Sequence, residues 1–341
     1  NENDDVTQPT VTDCTAMLGY INPDFFLGGD IPIDVDAAID AVDEHIASPL
    51  DEDPYETARG VLDLVEEDMA NELTAMIVGL GYSPESYNLV SYGGGGPLHA
   101  AGYTRNAAFE DVLIPEWAAA FSAFGAACAD YSYRYDQSVE LHVDPDLDNL
   151  DTVTDRLTEV MLDLRENVVE AFERDGIDVE EMTYQPSVRI QYTGMLDDLE
   201  IDVPMDFWED GFTAEGLRKL IGRYDERFRQ IFRRASSAPD MGYTITTVTG
   251  LGIAPSPMPT IPNVDTVDQR TPPEAASKGT RPIYWDDTWH DASIWDMDHV
   301  QAGNVLEGPS VAEAPSTTML VPPGFEAELD ENRIYHLRQH E

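Results

Sequence analysis

Asn88–Thr104 reads NLVSYGGGGPLHAAGYT. Asn88–Tyr92 is short, partly β-branched and aromatic, and bounded by turn residues, a composition that predicts a buried strand. Gly93, Gly94, Gly95 and Gly96 then remove four consecutive side chains. Only backbone N–H and C=O groups remain there, with φ free to turn positive. Pro97 suits the first turn of a helix, where its missing N–H is not needed, so the helix begins with Leu98–Tyr103. Strand, bare turn and helix N-terminus together set a positive partial charge beside a surface that a ligand can approach closely. That arrangement can hold a nucleotide or another anion; it also occurs where the chain only needs tight packing. It is not a Walker A loop or a dinucleotide fingerprint, because no Lys-Ser/Thr follows the glycines and the G-x-G-x-x-G spacing is absent.

The chain has 341 residues, enough for two or three domains. Its 42% apolar content is ordinary for a protein with a real core. The charge is extreme: 19 basic against 67 acidic residues give −48, and Lys219 and Lys278 are the only lysines. Such a chain repels itself at low salt and is relieved where salt screens over about 3 Å. This predicts a cytosolic protein from an organism with a very salty interior. The alternative is a specialised acidic protein that binds cations or mimics nucleic acid; acids spread along the chain rather than gathered in tails argue against it, and nucleic-acid binding is disfavoured. Cys14 and Cys128 give no disulfide framework or metal spacing and are expected as two buried thiols in a reducing compartment. No apolar run is long enough for a membrane span, and no signal peptide is present. The first residue is Asn1 rather than methionine, which suggests a fragment or a processed piece.

Asn1–Asp5 is polar and expected to fray. Asp34 caps a helix whose apolar face is Val35, Ala38, Ile39, Val42 and Ile46. Asp53-Pro54 with Glu56 starts a longer one, periodic from Val61 to Leu80 and ended by Gly81. Asp111–Pro115 reads as a strand and the small-residue run Phe121–Ala129 as a tightly packed helix. Tyr131–Val143 alternates as a half-buried strand, and Leu150–Phe172 is an amphipathic helix. Val188–Tyr192 and Leu199–Val203 read as paired strands. Thr213 starts a helix with Leu217, Leu220, Ile221, Tyr224, Phe228, Ile231 and Phe232 inward. Its other face carries Arg218, Lys219, Arg223, Arg227, Arg229, Arg233 and Arg234, expected to pair with the acidic body, or else to dock a partner or anion. Tyr243–Gly252 returns to strand. Ala254–Pro282 holds seven prolines and reads as a linker or an arm laid over the surface. Short strands follow at Pro282–Trp285, Ser293–Trp295, Ser310–Ala312, Thr317–Val321 and Arg333–Leu337.

Several stretches, in order, resemble the hydantoinase A/oxoprolinase family: PTVTD at Pro9–Asp13, FLGGD at Phe26–Asp30, YGGGGPLHAAGY at Tyr92–Tyr103, FSAFGAACAD at Phe121–Asp130, EGPSVAEAPSTTMLVPPG at Glu307–Gly324 and RIYHL at Arg333–Leu337. Within the family, the doubled glycine pair, Gly102-Tyr103-Thr104, and Trp117 with Phe121 look closest to ATP-dependent ketone carboxylases of the acetone carboxylase type. The resemblance implies an α/β fold, the C-terminal part of an actin/Hsp70-like ATPase core, in which two halves close over ATP. Gly93–Gly96, Pro97 and His99 then match the glycine turn that receives the adenosine side. The two Asp-x-Gly-Gly-Thr phosphate motifs of such a core are missing; in the family they lie upstream of the segment matching Pro9–Asp13. The domains expected on this basis are 1–145, the second half of the ATPase domain; 146–253, an α+β region; 254–281, the Pro-rich linker; and 282–341, a small β-rich module.

The same resemblance implies ATP with Mg or Mn as cofactor, and phosphorylation of a carbonyl oxygen or bicarbonate that drives C–C bond formation or ring opening. Positioning and electrostatics would carry such phosphoryl transfer. Implied partners are a polypeptide carrying the missing N-terminal ATPase half, a hydantoinase B-like subunit and a small third subunit, with further metals on those partners only. The alternatives are an ATP-dependent hydantoinase or 5-oxoprolinase subunit and, in another class, a non-catalytic assembly module. His99, one turn into the helix, either faces the nucleotide or packs under the loop. Asp13 either reaches the phosphate side or caps a turn. No catalytic residue is singled out. The seven histidines form no H-x-x-H or H-E-x-x-H arrangement, so no metal site is expected in this chain.

Overall fold

The computed structural model describes residues 8–79, 82–107, 109–207, 211–232, 237–261 and 263–340. The frayed start expected at Asn1–Asp5, the helix stop at Leu80-Gly81, and Arg233 and Arg234 lie outside them. The chain divides into two compact units. One combines the chain up to Ala127 with the chain from Thr260 onward; the other is Cys128–Pro259.

The first unit opens with α1 (Val11–Met17), α2 (Val35–Val42), the short turn α3 (Ser48–Leu50) and α4 (Pro54–Gly79). Asp34 caps α2 by accepting from Ala37 N–H, and the Asp53 carboxylate accepts from the N–H groups of Tyr55 and Glu56 at the start of α4. Then come β1 (Asn88–Val90), α5 (Gly96–Thr104), β2 (Asp111–Pro115) and α6 (Phe121–Cys128). Beyond the second unit the chain returns with β7 (Ser277–Trp285), β8 (Thr288–Asp296), β9 (Val305–Glu307), β10 (Ser310–Ala314), β11 (Thr317–Val321), β12 (Phe325–Leu329) and β13 (Ile334–Gln339). Two sheets result, in the orders β1-β2-β13-β12-β9 and β11-β10-β8-β7.

Three expectations fail in this unit. Asn88–Tyr92 is not a buried strand: β1 stops at Val90 and lies at the sheet edge, paired among the described residues only with β2, and Val90 remains 38% exposed. The helix at Phe121–Cys128 is not tightly packed, and none of its residues is buried; the Tyr92 ring lies against Phe121 and the Trp117 ring against Phe124, but its small residues meet no covering layer among the described residues. The C-terminal strands are not a separate module. β13 pairs antiparallel with β2, joining segments over two hundred residues apart in one sheet, with Tyr335 and Ile114 fully buried in its core. The Pro-rich arm is laid along this unit, with Val264 N–H donating to Glu331 O and Val267 N–H to Ala302 O, and β7 starts inside the expected linker. The tight β7–β8 hairpin turns on Asp286 and Asp287, both at positive φ, where aspartate stands in for the commoner glycine.

The second unit is an antiparallel sheet in the order β3-β6-β4-β5, from β3 (Tyr131–Val143), β4 (Thr183–Tyr192), β5 (Leu199–Asp202) and β6 (Tyr243–Ala254), with α7 (Leu150–Arg174) and α8 (Ala214–Ile231). The expected helix faces are buried at Leu157, Val160, Met161, Leu164, Val168 and Phe172 on α7 and at Leu217, Leu220, Ile221, Tyr224 and Phe228 on α8, but the expectation fails at the end of α8, where Ile231 is 51% exposed and Phe232 only half-buried. Thr213 caps α8 by accepting from Gly216 N–H. The basic face of α8 pairs little with the acidic body; among the described residues only Lys219 makes an ion pair, with Glu215 one turn back. Gly252 lets α7 lie close on β6, because a Cβ there would stand 2.3 Å from Val168 Cγ1 and 2.7 Å from Phe172 Cε2. Gly252→Val is expected to destabilise the protein by about 1–3 kcal/mol, the usual cost of overpacking, measured as a lower urea midpoint at unchanged slope.

Candidate functional site

The glycine turn is open. Gly94 and Gly95 are exposed, and Gly93 and Gly96 are half-buried. Each glycine has its own reason. Gly93 sits at φ +92°, which disfavours any other residue. Gly94 passes 3.3 Å from Ser316 O, measured from where its Cβ would stand. Gly95, the N-cap of α5, has ordinary φ −105° and would point a Cβ into empty space. Nothing inside the chain therefore requires a glycine at Gly95. The N–H groups of Gly94 and Gly95 have no hydrogen-bond partner among the described residues. Thr317 Oγ1 donates to Gly93 O at 3.1 Å and to Gly94 O at 3.3 Å, pinning the turn to the β10–β11 hairpin.

This turn walls a cavity of about 270 Å³. Val11, Thr12 and Thr15 of α1, Ile21, Asn22 and Phe25–Leu27, Leu98 and His99 of α5, and Glu313–Thr318 complete it. Of the expected binding residues, Gly94, Gly95 and His99 line the cavity. Gly96 lines a separate, shallower groove with Met69, Leu73, Leu89, Val90 and Tyr92. Pro97 is buried in the first turn of α5, and Gly93 supports the turn without lining either space.

Asp13 does not reach the cavity. It forms a capping box with Thr10, whose N–H donates to Asp13 Oδ2 at 2.7 Å. Cys14 is buried, its thiol pushed up to about 11 by burial, but Cys128 is only half-buried, so the two cysteines are not alike.

Sequence reading passed over the charged residues beneath the cavity. Glu313 is 1% exposed and accepts from Lys278 Nζ at 2.5 Å and Arg281 Nη1 at 2.8 Å. Lys278 also sits 3.6 Å over the Phe25 ring, so one of the two lysines props an aromatic wall. On the other side, His99 Nδ1 lies 3.0 Å from Glu66 Oε1, while Arg59 Nη2 bonds Glu66 Oε2 at 2.5 Å. The sequence signals for these are weak: Glu313 lies inside the EGPSVAEAPSTTMLVPPG stretch, whereas Arg59 and Glu66 look like ordinary charges on a long helix.

The lining suits the organic part of a nucleotide: apolar walls, a few polar groups and two free backbone N–H groups. Among the described residues no lysine or arginine lines it, so polyphosphate would find little charge compensation from them. Glu313 is already paired, and no group of three metal-capable side chains exists among the described residues, so the lining alone does not fit a metal ion. No described helix is long and apolar enough to cross a membrane.

The motif stretches PTVTD, FLGGD, YGGGGPLHAAGY and EAPSTT thus meet around one space. Residues 3–135 match the hydantoinase/oxoprolinase family model, and residues 145–340 match the hydantoinase/oxoprolinase C-terminal domain. The chain belongs to the hydantoinase/oxoprolinase family. It is 40% identical over 97% of its length to the acetone carboxylase beta subunit of Xanthobacter autotrophicus, covering 46% of that protein. The nucleotide-free structure of acetone carboxylase superposes with a TM-score of 0.75 at 39% identity, over 97% of this chain and 46% of the other. The ATP-dependent caprolactamase of Pseudomonas jessenii superposes with a TM-score of 0.74 at 28% identity, over 98% and 47%. The chain therefore spans less than half the length of these relatives.

Proposed function

We propose that this chain is the C-terminal portion of the nucleotide-binding subunit of an ATP-dependent ketone carboxylase, with an actin/Hsp70-like core completed by another polypeptide. One observation carries this reading: four motif stretches, far apart in sequence, converge on a cavity whose wall is a side-chain-free turn with unpaired N–H groups. Bound ATP, with Mg or Mn, would supply the phosphoryl group that activates bicarbonate or the carbonyl substrate. The residues here would hold its nucleoside end. Apolar side chains would cover the base, and Gly94 and Gly95 would let the ligand approach the backbone. The phosphates and the metal would be held by the partner polypeptide, and carboxylation would occur on a hydantoinase B-like subunit, with a small third subunit alongside. The partner polypeptide would add at the free edge of β1, beside the groove where Val90 and Tyr92 remain exposed.

The similarity to a caprolactamase supports a second reading, an ATP-dependent cyclic-amide hydrolase. Turnover of the intact complex separates the two. Consumption of acetone that depends on ATP and bicarbonate fits the first; bicarbonate-independent opening of 5-oxoproline or caprolactam replaces it with the second. Photo-crosslinking an azido-ATP analogue in the same complex tests the site. The label is expected on the segment holding Gly93–His99 or its facing walls, and labelling confined to other chains would leave this one an assembly module.

A further inference from the structure

His99 stands on the cavity wall with one ring nitrogen partnered. Its ring nitrogen Nδ1 faces Glu66 Oε1 at 3.0 Å. The Glu66 side chain is only 5% exposed, and its other oxygen takes Arg59 Nη2. Arg59 is fixed in turn by Asp63 Oδ1 at 2.7 Å and the Tyr20 hydroxyl at 3.0 Å, and its guanidinium lies 4.9 Å over Trp285. A carboxylate paired with a guanidinium is an acceptor only, so Nδ1 must be the nitrogen that carries the proton. In the neutral ring Nε2 is then a bare acceptor, and it has no partner among the described residues. The fold also makes room for this pair. A Cβ at Gly102 would stand 2.0 Å from Glu66 Oε2, so α5 stays bare where the carboxylate must lie.

We propose that Glu66 sets His99 Nε2 as a hydrogen-bond acceptor for the edge of a bound purine, selecting a 6-amino base over a 6-oxo base. The inference rests on the nucleotide reading above. Ile21, Phe25, Phe26 and Leu98 offer apolar faces to a planar ring, which leaves its edge to be read by the few polar groups. An amino group donates to Nε2; a carbonyl oxygen in its place would set two acceptors against each other. His99 and Glu66 have separate roles here: His99 would touch the base, and Glu66 is a positioning residue.

The test compares binding of radiolabelled ATP and ITP by the intact complex at one salt concentration. Wild type is expected to prefer ATP by about tenfold or more, the scale on which an unmatched hydrogen-bonding group is rejected. His99→Leu should bring the ratio to within about twofold of unity, with thermal unfolding confirming that the complex still folds. Glu66→Gln releases the proton on Nδ1 to either nitrogen and should also narrow the ratio, which provides a test if His99→Leu does not assemble. A wild-type complex that binds both nucleotides equally, an unchanged ratio in either folded variant, or an equal loss for both nucleotides, as expected if His99 contacted only ribose, would overturn the inference and leave the nucleotide reading standing. A complex that binds neither would overturn both.

Discussion

Gly95→Leu in the intact complex is expected to weaken ATP binding by about ten- to a hundredfold while the chain folds normally. The backbone at Gly95 has φ −105° and ψ −15°, which ordinary residues adopt, and an added Cβ meets no atom within 4 Å. Loss of a favourable N-cap residue there costs stability only about 1 kcal/mol. The new side chain would instead occupy space that a ligand needs, and forcing atoms into a filled site costs about 1–3 kcal/mol, hence the factor in affinity. Equilibrium ATP binding and urea unfolding of the same preparation check both halves. Unchanged ATP affinity would remove the turn from the binding site. Gly93→Ala is no substitute for this experiment, since φ +92° makes that change a backbone perturbation whatever binds nearby.

The second large effect concerns Glu313. Glu313→Ala should destabilise the protein by about 2–3 kcal/mol, because Lys278 and Arg281 would be left without their shared carboxylate in a largely buried place. The pH dependence has a definite sign. Burial pushes the Glu313 carboxyl up, but hydrogen bonds and charge from Lys278 and Arg281 outweigh burial and hold it below the ordinary glutamate value. A pKa lower in the folded state adds stability above the unfolded value, and that contribution is lost as pH falls through the lowered one. Wild type should therefore lose stability on acidification below about pH 4.3. Glu313→Gln should begin less stable at neutral pH and lose less over that interval. Urea unfolding across a pH series in molar salt, where the many surface carboxylates are screened, isolates the difference. Parallel curves for the two proteins would show that Glu313 contributes no such term.

Beneath the glycine turn, charge does a job that charge on the surface does not. The chain carries 67 acidic residues, most of them in water, where pairing is worth little. Glu66 and Glu313 are the exceptions that flank the cavity, each 5% exposed or less and each held by arginine. Composition could not single them out, because a glutamate on a helix reads the same whether its face meets solvent or a histidine.

What the sequence determined by itself was local. The glycine turn and its helix, the caps Asp34, Asp53 and Thr213, and the apolar faces of α7 and α8 depend on neighbours within one or two turns, and a short window of residues contains that information. The motif order was also enough to place the chain in its family. The tertiary structure decided what distant segments do to one another. It left β1 at a sheet edge, brought β13 back beside β2, and left α6 without a buried residue despite its small side chains. It also put Glu66 under His99, thirty-three residues on, with Gly102 bare to receive it. Strand order and the partner of a buried charge depend on contacts between residues far apart in the chain, and periodicity and propensity carry no term for those contacts.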